Sequence, residues 1–161
     1  NRFLWQFYSS DGAENRRQCM CVFTSLLRFV DPQLEMHLQL IGMEPDVYAQ
    51  SWFTTWFAQL FTYEQVLLLW DSILLRLPQF PLFIGACLVH CFRETLLGTD
   101  DVSQVSDFLA SVAPLVDIGL LLQASVALFQ AVPESVTLPV YPAYSEDDAS
   151  AQGKLNWSST L

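Results

Sequence analysis

Helix-start signals recur along this chain, each directly ahead of an apolar run with helical spacing. Asp31-Pro32 joins a residue whose carboxylate can accept a backbone N–H to the imino acid best tolerated at a first helical position. Leu34, His37, Leu38 and Ile41 follow three and four apart, and Gly42 can supply the left-handed residue that closes a helix. Pro45-Asp46 opens a segment carrying Val47, Tyr48, Trp52, Phe53, Trp56, Phe57 and Leu60, which reads as one helix. Thr62 and Gln65 have capping-box spacing, and Val66, Leu69, Trp70, Ile73, Leu74 and Leu77 lie behind them. Pro78 breaks that run. Residues 80–97 read as the next helix, ended by Gly98. Asp101 can cap residues 102–112, closed by Pro114, and Asp117 can cap residues 118–132, ended by Pro133. Upstream, residues 14–29 place Cys19, Val22, Phe23, Leu26 and Leu27 on one face. No stretch alternates apolar and polar residues for long, so strands are not expected. The fold class is all-α, an array of about seven packed helices.

Three segments follow. Residues 1–13 are a poorly defined N-terminal segment, and residues 14–133 are the helical domain. Residues 134–161 carry Pro139, Pro142 and the run Glu146-Asp147-Asp148, which reads as a disordered acidic tail or flexible linker. Several helices look apolar on more than one face, notably residues 66–77. That pattern belongs in the middle of a larger core. It leads to the expectation that further sequence on the N-terminal side completes the array, and that the chain expressed alone aggregates or folds only partly.

Charge narrows the function. With 7 Lys+Arg against 17 Asp+Glu the formal net charge is -10, so a nucleic-acid backbone or an anionic bilayer is repelled. Apolar residues make up 52% of the chain, yet the richest runs are interrupted by Asp71, Arg76, His90 and Arg93. No transmembrane segment is expected. The cysteines Cys19, Cys21, Cys87 and Cys91 read as reduced thiols. A zinc site from Cys87, Cys91 and His90 lacks the usual spacing, and small buried apolar residues are the competing reading. No Gly-x-Ser-x-Gly elbow and no glycine-rich phosphate loop occurs, so no catalytic residues, cofactor or metal ligands are assigned.

The segment from Asp31 to Leu75 resembles the C-terminal half of the TBC domain, the fold of Rab GTPase-activating proteins. The resemblance is carried by Asp31-Pro32, Leu34, His37-Leu38, Gly42, Pro45, Tyr48-Ala49, Trp52-Phe53, Thr55, Phe57-Ala58, Phe61, Trp70-Asp71 and Leu74. Further agreement at Ile41, Asp46, residues 80–85, Arg93 and residues 117–118 extends it to about residues 22–133. It points to a branch in which the TBC domain lies between a kinase-like and a rhodanese-like domain.

The resemblance implies a Rab-family small GTPase as partner and a role in membrane trafficking. It also implies a cytoplasmic location, peripheral on endosomal membranes through partners. Activators of this family insert an Arg from an Ile-x-x-Asp-x-x-Arg motif and a Gln from a Tyr-x-Gln motif. The first does not occur in this sequence. Tyr48-Ala49-Gln50 and Tyr63-Glu64-Gln65 match the second by letter, in the wrong context. The expectation is a scaffold half without catalytic fingers and without enzyme activity of its own. The alternative is a non-catalytic adaptor that holds subunits of an endosomal trafficking complex.

Among the motif residues, Asp31, Pro32, His37, Leu38, Gly42, Pro45, Tyr48, Trp52, Phe53, Phe57, Trp70 and Asp71 are therefore read as mainly structural. The aromatic cluster reads as core packing, not as a binding hot spot. His37 is expected to make a structural hydrogen bond and His90 to be a satisfied core residue. Asp71 is expected to be a buried carboxylate with a partner. Arg28 and Arg93 are expected to neutralise carboxylates at helix ends.

Overall fold

The structure, a computed structural model, describes residues 12–137, and among them every regular element is helical. In chain order these are α1 Gly12–Val30, α2 Pro32–Leu40, α3 Pro45–Tyr48, α4 Gln50–Thr54, α5 Tyr63–Leu74 and α6 Phe80–Cys91. They continue as α7 Arg93–Leu97, α8 Val102–Ala110, a 3-10 turn at Ala113–Leu115, α9 Ile118–Ala131 and α10 Glu134–Thr137.

The predicted caps form. Asp31 accepts from Leu34 N at 3.0 Å, Asp117 from Leu120 N at 3.0 Å, and Asp101 from Ser103 N at 2.8 Å. Gly42 takes φ +80°, Met43 N donates to Leu38 O and Gly42 N to Gln39 O. That pair of bonds is the Schellman closure the glycine anticipates.

The all-α class stands, and the described residues hold more and shorter helices than the seven expected. Residues 45–60 do not form one helix. The Thr54 and Thr55 hydroxyls turn back onto the Gln50 and Ser51 carbonyls, at 3.0 and 2.8 Å. The chain then passes through the left-handed region at two successive aromatic residues, Trp56 (φ 50°) and Phe57 (φ 64°). Phe57 N donates to Trp52 O at 2.7 Å, a closure normally made by glycine. Such backbone costs roughly 1–3 kcal/mol per residue. It is offset here by burial of both rings and by the Trp70 indole, which donates to Trp56 O at 2.9 Å. Residues 80–97 likewise divide at Phe92, whose ring leaves the helix axis to meet Phe108 edge-on at 5.2 Å. Beyond Pro133, residues 134–137 form α10 against α1, with Thr137 buried, so the packed chain runs past the expected start of the tail. The remainder of the tail and residues 1–11 lie outside the described residues.

Helix α6 is the axis of the array. Every residue from Phe80 to Val89 is buried, and α1, α4 and α9 pack around it. Residues 66–77 were expected in the middle of the core, but α5 is one-sided. Val66, Leu69 and Ile73 face inward, while Leu67, Leu68, Leu74 and the following Leu75 are exposed.

Among the described glycines, Gly85 of α6 has the tightest surroundings. A Cβ there would sit 2.9 Å from Phe53 Cζ and 3.1 Å from Phe23 Cε2. Both rings are fully buried, so neither can swing into solvent. Gly85→Ala is expected to cost about 1–3 kcal/mol through overpacking, despite its gain in helix propensity. Urea denaturation of the two proteins measures it, and a more stable variant would contradict the packing described.

Candidate functional site

The resemblance residues assemble into a polar node at the start of α2 and an aromatic wall beneath it. Asp31, buried at the junction of α1 and α2, makes three contacts at once. Its Oδ1 accepts the Leu34 amide. Its Oδ2 accepts from Arg93 Nε at 2.7 Å and lies 3.2 Å from His90 Nδ1. Arg93 also donates to Gln33 Oε1 and to Glu94 Oε1. Burial alone would raise the Asp31 pKa. The Leu34 amide, the Arg93 guanidinium and His90 outweigh it and hold the carboxyl below the usual Asp value. A carboxylate that caps one helix while tying down residues of α6 and α7 is a structural clamp.

A second pair reinforces the junction. Arg28, in the last turn of α1, holds the buried Glu35 of α2 through two donors at 2.9 and 3.0 Å. His37 Nε2 lies 3.1 Å from Thr99 O and fastens α2 to the segment after α7. Arg28, Arg93 and His37 thus do what the sequence suggested. Glu35 was missed, although an Arg in a last turn and a Glu seven residues on, across an Asp-Pro junction, is a readable signal. His90 differs from expectation: its side chain is about half exposed and anchored by Asp31 rather than enclosed by core.

Pro32 sits at N1 of α2 and Pro45 at N1 of α3, with Leu34 and Leu38 facing the core between them. Tyr48, Trp52, Phe53 and Phe57 are buried as one aromatic chain. Tyr48 meets Trp52 edge-on at 5.4 Å, Phe53 meets Phe57 at 6.0 Å, and Phe23 of α1 meets Phe53 at 5.1 Å. All four pack in the core. Trp70 rests partly exposed at the edge of this wall. Asp71, expected to be buried, is exposed, because α5 turns that side away from the core.

The two Tyr-x-Gln matches lie in different settings. Gln65 returns its Oε1 to Thr62 N at 3.1 Å and donates Nε2 to Ala113 O at 3.3 Å, so both ends of its amide fix the α5 start. Gln50 begins α4 on the surface, while its partner Tyr48 points into the core. Two of the thiols, Cys19 and Cys87, are muted. Burial pushes Cys19 up to about 12 and Cys87 up to about 11, the latter eased by a Ser125 hydrogen bond. Among the described residues no group of His, Cys, Asp and Glu is arranged to hold a metal ion, and no helix is long and apolar enough to cross a membrane.

Most of the marked residues thus pack or cap within the described helices, while Asp71 is exposed. Residues 1–97 match the family described as the Rab-GTPase-TBC domain, and the chain belongs to that family. The match begins at residue 1, upstream of the point near Val22 where the resemblance becomes legible residue by residue.

The chain is similar to the TBC domain-containing protein kinase-like protein of Gallus gallus, 33% identical over 140 residues. That alignment covers 87% of this chain and 16% of the relative. The protein of the same name from Mus musculus is 34% identical over 136 residues, covering 84% of the chain and 15% of the relative. A shorter likeness, 42% over 57 residues, joins 35% of the chain to 5% of the TBC1 domain family member 5 homolog A of Dictyostelium discoideum. The chain thus spans about one sixth of the length of the first two relatives.

Proposed function

We propose that this chain is the scaffold half of a Rab-directed GTPase-activating domain, and that it contributes no catalytic finger itself. The observation that carries this reading is the engagement of Gln65. In a Tyr-x-Gln setting this side chain would have to reach an attacking water, and here both its amide atoms bond within the fold. The exposed Leu67, Leu68, Leu74 and Leu75 of α5 support the other half of the reading, since a helix apolar on two sides suits a larger helical domain. The parent protein then meets its Rab partner on trafficking membranes, held there from the cytoplasm through other proteins.

Single-turnover GTP hydrolysis by a panel of Rab proteins tests it, comparing the parent's complete domain with this chain. The complete domain is expected to accelerate hydrolysis of one Rab by about 10³–10⁵-fold, the range of an arginine finger. The chain alone is expected to leave every rate at its intrinsic value. Acceleration by the chain alone would overturn the assignment and return Gln50 and Gln65 as candidates. No acceleration by a folded complete domain would instead favour a non-catalytic adaptor, for which the open α5 face is the natural contact.

A further inference from the structure

A cleft of about 210 Å³ opens between α1, α2 and the α2–α3 turn, away from the polar node and from the open face of α5. Its walls are apolar and adaptable: Met20 and Leu27 from α1, Leu38 from α2, and Met43 beyond it. Tyr48, about 94% buried by its 6% exposure, also lines it, and among the described residues its hydroxyl has no hydrogen-bond partner. A sealed phenol without a partner costs roughly 1–3 kcal/mol. Beside it stands Glu35, which accepts one bond from Arg28 on each oxygen and keeps lone pairs for further donors. Burial, and then the negative charge of Glu35, raise the Tyr48 pKa, which places the phenol in that carboxylate's field. At the mouth Glu44 and Asp46 are exposed, opposed by Arg17.

We propose that this cleft receives a single lysine or arginine side chain from a basic segment of a partner protein. An apolar cavity of about 150 Å³ admits a benzene-sized molecule, so this one fits a long side chain and not a helix. The aliphatic stem lies along Met20, Leu38 and Met43, as long cationic side chains do on apolar surface. The cationic tip donates to the open lone pairs of Glu35, and Tyr48 Oη, out of solvent contact in this structure, comes within its reach as the flexible Met20 and Met43 side chains give way. Glu44 and Asp46 meet the neighbouring basic residues, and the net charge of -10 favours their approach. The site is independent of the GTPase reading, which neither uses this cleft nor depends on its occupant.

The three methionines provide the test. Met20 and Met43 line the cleft, while Met36 is exposed elsewhere on α2 and serves as an internal reference. With methyl-labelled methionine in the full chain, acetyl-Gly-Lys-Gly-amide and its arginine counterpart are titrated against the norleucine peptide of equal length. The cationic peptides are expected to shift the Met20 and Met43 methyls and to leave Met36 in place, with the norleucine peptide at least tenfold weaker. Tyr48→Phe keeps the ring and removes the hydroxyl, and is expected to weaken the cationic peptides by about tenfold. Should that variant disturb the fold, the exposed pair Glu44→Gln and Asp46→Asn reads the same requirement, with an expected loss of several-fold. Equal shifts from all three peptides, no shift from any, or an unchanged midpoint in Tyr48→Phe would overturn the proposal.

Discussion

Phe53→Ala is expected to destabilise the chain by about 3–5 kcal/mol, the range for emptying a fully buried aromatic site. That is a large share of the roughly 5–15 kcal/mol holding a typical domain together. Phe53 is fully buried and links three elements. Its ring meets Phe23 of α1 edge-on, meets Phe57 at 88° between planes, and presses against the backbone of α6 at Gly85. Its ring partners Phe23 and Phe57 are themselves fully buried and packed on other neighbours, so refilling the space would draw them out of those contacts. The measurement is a chemical-denaturation midpoint with its slope. A loss below about 1.5 kcal/mol at unchanged slope would show that the core relaxes freely and is not a rigid aromatic wall. The close approach adds a sharper test. In a Phe53→Leu background the Cβ of Gly85→Ala meets a smaller side chain. The glycine substitution is therefore expected to cost at least 1 kcal/mol less there than in the parent, a coupling expected of residues in contact.

How much of this was legible beforehand follows from which forces act locally. Asp31, Asp101 and Asp117 cap helices through bonds that span two or three residues, so local sequence suffices to find them. Gly42 closes α2 for the same reason, since its φ of +80° suits a residue without a Cβ. The break at Trp56 and Phe57 was not legible. Nothing local favours a left-handed tryptophan, and what holds it there is the indole of Trp70, fourteen residues away, together with the burial of two rings. Asp71 was misplaced for a related reason. A helix with leucines on several sides does not reveal which side meets the core, and α5 turns Val66, Leu69 and Ile73 inward. Of the polar node, Arg93 and Asp31 could be named singly. Their meeting, 62 residues apart, is a tertiary fact. The role of Gln65 was half visible: its capping-box spacing predicts the bond to Thr62 N, but the second bond to Ala113 O depends on how α9 approaches α5.

Asp31 gives the second large effect and carries a pH signature. Asp31→Ala removes the N-cap of α2, worth about 1 kcal/mol. It also leaves Arg93 and His90 facing an empty junction. Removing one partner of a fully buried pair costs about 3–5 kcal/mol, but Arg93 is about a third exposed and His90 about half, so water recovers part of the loss. A total near 2–3 kcal/mol is expected from denaturation at neutral pH. Asp31→Asn separates the two contributions, since asparagine can still accept the Leu34 amide as a cap but carries no charge. The native Asp31 carboxyl titrates below its unfolded value of about 3.9. The unfolded chain therefore binds the proton first as pH falls. The charge contribution is fully present above about pH 5 and is lost as the pH drops through the depressed native value. The stability difference between the parent and Asp31→Asn should accordingly persist down to about pH 5 and shrink steadily below pH 4. A difference that stays constant to the lowest folded pH would mean that Asp31 acts through its cap hydrogen bond alone. The contacts with Arg93 and His90 would then contribute nothing to stability.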